Sequence, residues 1–390
     1  MSHIALVIPA LENNAGTERH VLSLAKGMRS RGWRVSVIAL SGRGTQAAAE
    51  LKAAGVEFLR LEMRTGLADP RGWIRFSRWI SRERPQVVHA HLLDAAWLAR
   101  WSRLTTSEPA SSANVVIDTL HSSSTGNLAR RIGYRSSGWL ADGVTAVSQS
   151  VADTHLAARM VDRNKLTVLW NGVDVEEFHP DCHVRQTVRR ELGLKDEFLW
   201  LATGRLEAVK DYPTLLRAFT LVPEPTRLLI AGDGSLQNQL RQLSARLGLE
   251  QRVRFLGFQQ DVKPWMQAAD GFVLSSRWEG LPAGLLEAGA CGLPSVATDV
   301  PGTREVIVRG RTGRLTPAGA PNALAEEMAA MVRSAPKERR AMGNLARLHI
   351  TERFSLEAML DRWENLYRRL LAVSYEKNYE VRSPISALRI

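Results

Sequence analysis

The alternation of short apolar runs with longer helical patterns, repeated along nearly the whole chain, constrains this sequence more than any other feature. Most of the runs are apolar without interruption, which is typical of strands buried on both faces of a parallel sheet. The predicted strands are Ile4–Ile8, Val35–Leu40, Val87–His91, Val115–Leu120, Val144–Val147, Thr167–Leu169, Phe198–Thr203, Arg227–Ala231, Val253–Leu256, Gly271–Leu274 and Pro294–Ala297. Helical patterns lie between them, for example at Thr17–Arg31, Leu236–Leu247 and Pro321–Ser334. The sequence therefore predicts repeated βαβ units and an α/β fold.

The number of predicted strands is too large for one open sheet of ordinary size. A chain of 390 residues has room for two domains, and the series of strands breaks at a polar stretch near 171–185. We therefore predict two Rossmann-like, doubly wound parallel-sheet domains at residues 1–174 and 175–354. A strong amphipathic helix at 355–373 has no strand after it and is expected to pack across the domain boundary. Residues 374–390 are weakly patterned and are predicted to form a tail.

Composition excludes several classes of protein. Two cysteines, Cys182 and Cys291, are too few for a disulfide framework or a thiolate metal cluster, and they favour a reducing compartment. No apolar stretch is long enough for a membrane-spanning helix, and the first apolar run is too short for a signal peptide, so we expect a cytoplasmic protein. The net charge of +12 is shared by both halves of the chain and attracts phosphorylated molecules or anionic membranes. Without a basic tail or arm, it does not favour a dedicated nucleic-acid binder.

Ligands of open parallel sheets bind beyond the carboxyl ends of the strands, so the residues that follow the strands are the candidates. Gly16 lies between the first strand and a helix, where the backbone can approach an anion closely. His91 and His121 end or follow two later strands, where an imidazole can bond a substrate hydroxyl or phosphate. Each of the three residues is also compatible with a purely structural role.

Two cations follow the strand that ends at Thr203. Arg205 and Lys210 lie on the turn after Gly204 and before a helix. Fixed cations at this position suit a diphosphate, because an arginine can fork two oxygens and a lysine adds a point charge. The alternative is a solvated turn.

The most specific segment runs from Glu279 to Ala290, with the sequence Glu-Gly-Leu-Pro-Ala-Gly-Leu-Leu-Glu-Ala-Gly-Ala. Pro282 marks the start of a helix, and the N–H groups of Leu281–Leu285 would face an anion. Glu287 falls in the second turn among apolar and small residues. Burying an ionised carboxylate is costly unless it is hydrogen-bonded, which indicates a polar ligand that Glu279 would also reach. The alternative for Glu287 is a cap on a neighbouring loop.

A basic, aromatic helix is predicted over Asp69–Pro85. Its arginines are Arg71, Arg75, Arg78 and Arg82, interleaved with Trp73, Phe76, Trp79 and Ile80. Such a helix can lie on an anionic membrane surface. The alternative is a helix packed on the sheet with a solvated arginine face.

Together these motifs resemble the retaining glycosyltransferases of family 4, which have the GT-B fold, and the resemblance runs from Ile4 to about Leu371. The motifs that carry it are the E-x₇-E pair Glu279 and Glu287 with the following C-G-L-P-S-V-A-T, H-A-H at His89–His91, L-H-S at Leu120–Ser122, A-V-S at Ala146–Ser148, N-G-V-D at Asn171–Asp174, G-R-L…K at Gly204–Lys210, A-G-D-G at Ala231–Gly234 and G-R-T-G at Gly310–Gly313. Two positions depart from the family pattern. Ala15-Gly16 stands where paired glycines are usual, and Pro301–Glu305 stands where G-G-x-x-E is usual.

The resemblance implies two Rossmann-like domains facing a central cleft, the first for the acceptor and the second for the donor. It implies that Glu279 binds donor-sugar hydroxyls, Glu287 the donor ribose, and Arg205 and Lys210 the diphosphate. Gly280, Leu281 and Pro282 would line the donor site. Gly16 would lie beside the donor phosphates or the acceptor, and His121 would touch the transferring sugar. Gly16, His91 and His121 are predicted to bind the acceptor.

The expected activity is retaining, hexosyltransferase-type transfer from a nucleotide-diphosphate sugar to a hydroxyl acceptor, with Arg205, Lys210, Glu279 and His121 as the catalytic residues. We expect no cofactor and no metal, because no D-x-D pair is present to hold a divalent ion against the diphosphate. The acceptor is expected to be a lipid-linked glycan or a polysaccharide or lipopolysaccharide precursor, with the enzyme peripheral on the inner face of the cytoplasmic membrane. The alternatives are a nucleotide-sugar epimerase or a phosphorylase of the same fold, and a non-catalytic nucleotide-sugar-binding protein. No pyridoxal site is recognisable for a phosphorylase.

Overall fold

The computed structural model describes the backbone of residues 2–11, 16–42, 45–104 and 115–382, and the side chains of these residues except 45 and 377–382. The chain divides into two compact units. The first unit comprises the chain up to Asn171 together with the segment that begins at Met359. The second unit comprises Gly172–Ala358.

The first unit is built on a seven-stranded parallel sheet. Its strands are β1 His3–Ile8, β2 Arg34–Ala39, β3 Glu57–Arg60, β4 Val87–His91, β5 Val115–Leu120, β6 Gly143–Ala146 and β7 Leu166–Val168. They are ordered β3-β2-β1-β4-β5-β6-β7, and every pair is parallel. The order reverses between β1 and β4, so this is where a doubly wound sheet opens a crevice at its carboxyl edge.

Helices connect these strands. They are α1 Gly16–Ser30, α2 Thr45–Ala53, α3 Pro70–Glu83, α4 Leu93–Ser102, α5 Leu128–Ser136 and α6 Gln149–Ala157, with short 3₁₀ turns at Gly66–Ala68, Gly138–Leu140 and Arg163–Lys165. The start of α3 is fixed by its N-cap and by a proline. Asp69 accepts a hydrogen bond from the Arg71 N–H, and Pro70 occupies the first helical position. The helix ends at Arg84, which takes the left-handed conformation.

The predicted basic helix is thus confirmed as α3, but most of its apolar face is not free. Phe76, Trp79 and Ile80 are buried in the core of the first unit. Burial of these side chains against the sheet stabilises the fold, since each fully buried large apolar side chain contributes about 1.5–3 kcal/mol. The four arginines of α3 are exposed, so the structure matches the alternative of a sheet-packed helix with a solvated arginine face.

The second unit is built on a six-stranded sheet. Its strands are β8 Phe198–Thr203, β9 Thr226–Ala231, β10 Val253–Gly257, β11 Gly271–Leu274, β12 Ser295–Thr298 and β13 Gly313–Thr316. They are all parallel and ordered β10-β9-β8-β11-β12-β13, with the reversal between β8 and β11. The helices are α7 Cys182–Glu191, α8 Tyr212–Phe219, α9 Gln237–Arg246, α10 Lys263–Ala268, α11 Ala283–Ala290, α12 Pro301–Val306, α13 Pro321–Arg333 and α14 Pro336–Phe354, with a 3₁₀ turn at Ala208–Lys210.

The last helix, α15 Leu356–Arg382, starts in the second unit and belongs to the first from Met359 onward. Trp363 stacks against His89 with ring centroids 4.5 Å apart, and Glu364 accepts hydrogen bonds from Arg31 and Trp33. The helix continues beyond the predicted end at 373. The predicted tail is therefore helical as far as Arg382, and residues 383–390 lie outside the described residues.

Two strands, β3 and β13, were not predicted. Each lies at an edge of its sheet and pairs with one neighbour only. Strand β3 is partly exposed along its length and therefore has no continuous apolar run, while β13 reads Gly-Arg-Leu-Thr. Exposure explains the omission of β3, whereas β13 is mostly buried and was missed because this short segment has no continuous apolar run.

Candidate active site

In the second unit, candidate residues follow the two strands that flank the reversal of strand order. The loop after β8 carries Arg205 and ends at Lys210, and the loop after β11 carries Glu279. The first loop is backed by the A-G-D-G segment, where a Cβ on Gly232, whose φ is +147°, would overlap the Gly204 carbonyl oxygen. Glycine is needed here both for the backbone angle and for the close approach.

Lys210 and Glu279 form an ion pair between these loops. The Lys210 Nζ lies 2.6 Å from the Glu279 Oε1, and the Ser276 Oγ donates to the same oxygen at 2.6 Å. The two side chains are only 19% and 11% exposed. Among the described residues nothing bonds the second carboxylate oxygen or the other two N–H groups of Lys210. The pair therefore keeps both an acceptor and donors for a ligand.

Several further bonds join the loops that carry the pair. The Ser275 Oγ donates to the Lys210 carbonyl at 2.8 Å, and the Arg277 Nε lies 3.2 Å from the Asp211 Oδ2. Behind Lys210, the Tyr212 hydroxyl donates to the Gly204 carbonyl at 3.1 Å, and burial raises the pKa of Tyr212. These bonds fix the loop backbones, so the pair is held without depending on its own attraction.

Helix α11 begins beside Glu279. Pro282 is its N-cap, and no side chain caps the first turn, so its N–H groups remain available to an anion. Glu287 lies inside the helix with 7% exposure. Its charge, after burial, contributes to raising the pKa of the Cys291 thiol to about 12. Glu287 thus lies on α11, the helix that begins shortly after Glu279.

Two backbone features complete this part of the site. Gly280 and Pro282 are buried and Leu281 is partly buried. The P-G-T-R-E segment at Pro301–Glu305 differs from the usual family pattern. A Cβ on its Gly302 would lie 2.6 Å from the Glu279 carbonyl oxygen. The second glycine of the usual family pattern is therefore the one that packing requires, and Pro301 instead begins α12.

Arg205 is placed differently from Lys210. It is exposed, and its charge acts on Glu207 rather than on the Lys210–Glu279 pair. Hydrogen bonds from the Ser235 N–H and Oγ, together with the Arg205 charge, lower the pKa of Glu207. The structure brings together Lys210 and Glu279, while Arg205 stands on the same loop with its guanidinium accessible.

In the first unit, four imidazoles lie together near the reversal between β1 and β4. This histidine cluster consists of His20 on α1, His89 and His91 on β4, and His121 after β5. Sequence reasoning selected His91 and His121 but not His20 or His89. His89 carried a signal as the first residue of H-A-H, whereas His20 lies within a helix and follows no strand.

His89 has both ring nitrogens bonded inside the protein. Its Nδ1 lies 2.7 Å from the Tyr367 hydroxyl and its Nε2 lies 2.6 Å from the Thr119 Oγ1. The Thr119 hydroxyl lies 2.7 Å from that of Thr145. Because these groups are buried and mutually bonded, His89 ties β4 to α15 and has no free nitrogen for a ligand.

His91 and His121 are joined directly, with the His91 Nδ1 2.9 Å from the His121 Nε2. His91 is 0% exposed, whereas His121 is partly exposed. Both rings lie within 5.6 Å of the His20 ring, whose two nitrogens have no hydrogen-bond partner among the described residues. Burial lowers the pKa of His20 to about 4 and lowers the pKa values of His91 and His121 well below 6.5. The cluster is therefore neutral at pH 7.

Gly16 is the first residue of α1 and is exposed. The preceding loop, with the Ala15 that departs from the family pattern, lies outside the described residues. Within the described part of the chain, no group of three or more His, Cys, Asp or Glu side chains is arranged to hold a metal ion. No helix there is long and apolar enough to cross a membrane.

Comparison with known families assigns each half of the chain. Residues 14–177 match Glycosyltransferase Family 4, and residues 184–349 match Glycosyl transferases group 1. A UDP-Gal:alpha-D-GlcNAc-diphosphoundecaprenol alpha-1,3-galactosyltransferase of Escherichia coli is 27% identical over 62% of this chain and 65% of its own length. An N-acetyl-alpha-D-glucosaminyl L-malate synthase of Bacillus anthracis is 32% identical over 58% of this chain and 59% of its own length. The chain thus spans less than two thirds of the length of these curated relatives.

A solved structure agrees over a greater length. Anabaena Alr3699/HepE in complex with UDP superposes with a TM-score of 0.82 and 21% identity, covering 95% of this chain and all of that one. This likeness concerns the fold and confirms the predicted pair of parallel-sheet domains. With one family match in each unit, the chain belongs to the glycosyltransferases of the GT-B fold, with a family 4 domain in its first half and a group 1 domain in its second.

Proposed function

We propose that this glycosyltransferase moves a sugar from a nucleotide-diphosphate sugar to a hydroxyl of a lipid-linked glycan or surface-polysaccharide precursor, with retention of the anomeric configuration. The observation that carries the proposal is the Lys210–Glu279 pair, held at 2.6 Å beside the uncapped start of α11. A cation, an anion-binding helix start and a carboxylate with a free oxygen suit a diphosphate and a sugar hydroxyl in one ligand.

Leaving-group departure is the difficult step. The bond between the anomeric carbon and the diphosphate oxygen breaks, and its electron pair leaves with the nucleoside diphosphate. Arg205, Lys210 and the first N–H groups of α11 stabilise the developing charge, and one such donor contributes about 3 kcal/mol. The acceptor oxygen bonds to the same face of the anomeric carbon while its proton passes to a diphosphate oxygen. The configuration is retained without an enzyme nucleophile.

The remaining candidates recognise the two substrates. Glu279 accepts hydrogen bonds from donor-sugar hydroxyls, and Glu287 binds the donor ribose. Gly280–Pro282 lines the donor site through its backbone. In the first unit, Gly16 lies beside the phosphates or the acceptor, and His121 bonds a hydroxyl of the transferring sugar. A neutral imidazole suits that last role because the ring nitrogen that is not bonded to His91 can form a hydrogen bond to a hydroxyl.

Fixed cations and helix N–H groups supply the charge stabilisation, so we propose that transfer needs no divalent metal. The sequence has no D-x-D pair to bridge an ion to the diphosphate. Excess chelator should leave the initial rate unchanged. Loss of activity in chelator and its return on addition of magnesium or manganese would contradict this part of the proposal.

A lipid-linked acceptor is supported by the diphosphoundecaprenol substrate that the name of the E. coli relative gives and by a surface of the first unit. Leu128, Ile132 and Trp139, on and just after α5, are 67%, 59% and 66% exposed. Leu128 and Ile132 are spaced four residues apart and share a helix face with the exposed Arg135. Exposed apolar side chains beside a cation suit an anionic membrane surface, which α3 with its buried aromatic face suits less well.

The proposed donor chemistry is tested by purified protein incubated with a panel of nucleotide sugars and a short lipid-diphosphate glycan acceptor. Arg205→Ala combined with Lys210→Ala should lower product formation at least a hundredfold. The matched control is Lys337→Ala with Arg340→Ala, which removes the same charge from exposed positions on α14. A double variant that turns over donor at the wild-type rate would refute the role assigned to these cations.

A further inference from the structure

The bond between His91 and His121 connects a fully buried imidazole to a partly exposed one. His91 ends β4, and His121 follows the neighbouring strand β5. Because His91 is 0% exposed, it cannot itself touch an acceptor, contrary to the acceptor-binding role predicted for it. Its influence on a ligand passes through the His91 Nδ1···His121 Nε2 contact of 2.9 Å.

The surroundings of His91 indicate which nitrogen carries its proton. Burial keeps both rings neutral at pH 7, so each ring has one N–H. The His91 Nε2 is buried and has no hydrogen-bond partner among the described residues. A proton there would be a buried N–H without an acceptor, which is rarer in proteins than an unpaired acceptor. A proton on Nδ1 instead forms the bond to His121.

We propose that His91 is a positioning residue whose Nδ1–H donates to the His121 Nε2 and thereby fixes both the ring orientation and the tautomer of His121. The His121 proton then lies on Nδ1, which is not among the buried polar atoms without a partner and belongs to a partly exposed ring. His121 consequently meets its ligand as a hydrogen-bond donor, toward a hydroxyl or phosphate oxygen. This role for His91 extends the proposed function and depends on it only for the identity of the ligand.

The tautomer can be measured without any assay of transfer. In protein labelled with ¹⁵N at histidine, long-range ¹H–¹⁵N correlation distinguishes protonated from bare ring nitrogens. The expected result is a protonated Nδ1 and a bare Nε2 at His121. A His121 protonated on Nε2 in the wild-type protein would overturn the proposal.

Two substitutions of nearly equal shape separate the hydrogen bond from packing. His91→Asn keeps an N–H at the position of Nδ1 and should preserve the His121 tautomer, whereas His91→Leu removes the donor and should give a mixture of tautomers. His155→Leu is the matched control, because buried His155 bonds the Ser122 carbonyl at 3.0 Å, next to His121, whereas the ring contacts of His121 are with His20 and His91. It should leave the tautomer unchanged. An unchanged tautomer in His91→Leu would contradict the proposal.

Kinetics give the second measurement. His91→Leu should lower kcat about tenfold with the donor KM within about twofold, and His91→Asn should recover most of the loss, as expected for one net hydrogen bond. A purely structural role would instead lower the thermal midpoint of both variants equally without the rescue. If no donor or acceptor supports transfer, the proposed function fails while the tautomer measurement still decides the role of His91.

Discussion

At the residue scale, the candidate residues of the two units handle burial in opposite ways. The second unit pairs charge with charge: Lys210 and Glu279 are mostly buried and mutually neutralised. The histidine cluster of the first unit excludes charge: burial lowers the pKa values of His20, His91 and His121 so that the rings stay neutral. The first arrangement suits a ligand with charge, and the second suits one with hydroxyls.

Glu279→Gln tests the charged pair. Glutamine keeps the shape and can still accept from Ser276, but it no longer neutralises Lys210. We expect kcat/KM for the donor to fall about a hundredfold or more, because the cation loses its orientation and the sugar its carboxylate. The matched control is Glu177→Gln, which breaks the Lys263–Glu177 pair of 3.0 Å on the surface of the same unit. Steady-state kinetics should show no change in that control.

Individual candidate site residues could be predicted from the sequence, but the contacts between them could not. Lys210 and Glu279 each follow a strand, yet their contact spans 69 positions and depends on the strand order β8-β11. The same limit applies to His20, because nothing in a helical pattern shows that α1 turns this ring toward β4. Contacts between segments depend on topology, and periodicity carries no information about them.

At the element scale, sequence prediction succeeded where burial is complete. The interior strands β4, β5, β8 and β11 match their predicted bounds, because a strand buried on both faces is mostly apolar. Strand β3 was missed because it is partly exposed, and β13 because its four residues, Gly-Arg-Leu-Thr, form no apolar run. Helix α15 was predicted to end near 373 because its apolar pattern weakens there, although the helix continues to Arg382.

Vesicle binding can show whether α5, rather than α3, is the element that contacts a membrane. We expect the protein to sediment with anionic vesicles at low salt, and Leu128→Ser combined with Ile132→Ser to weaken binding about tenfold or more. The loss of two leucine-sized apolar side chains from the membrane contact accounts for a weakening of this size. The matched control is Leu345→Ser with Leu348→Ser, which removes exposed apolar side chains from α14 in the second unit. Equal loss in both double variants, or no sedimentation of the wild type, would contradict a surface on α5.

At the scale of the whole molecule, one topology is used twice. Each sheet reverses its strand order beside its first strand, between β1 and β4 and between β8 and β11. In a doubly wound sheet this reversal opens a crevice at the carboxyl edge, and in both units the candidate residues lie at that edge. The repeated architecture therefore explains why the histidine cluster and the Lys210–Glu279 pair occupy equivalent positions although their chemistry differs.

The histidine cluster also makes stability depend on pH. His20 has a folded-state pKa of about 4 against 6.5 for the ordinary side chain, so between these values the unfolded chain binds more protons. Its contribution is present in full above pH 6.5 and is lost as the pH falls toward 4, by about 3 kcal/mol in total. The carboxylates with lowered pKa values, such as Glu364, act in the same sense but only below about pH 4.5.

His20→Leu isolates this contribution. Because both nitrogens of His20 are buried and have no partner in the described part of the chain, an apolar side chain of similar volume should leave stability at about pH 7.5 unchanged or higher. The free energy of unfolding of the first unit, measured in urea, should then fall less in the variant than in the wild type between about pH 6.5 and about pH 4.5. The control His183→Leu replaces an exposed histidine on α7 and should keep the wild-type slope. If His20→Leu also kept that slope, the ring of His20 would have to accept a proton in the folded protein as readily as in the unfolded chain, and the cluster could not hold its imidazoles neutral by burial.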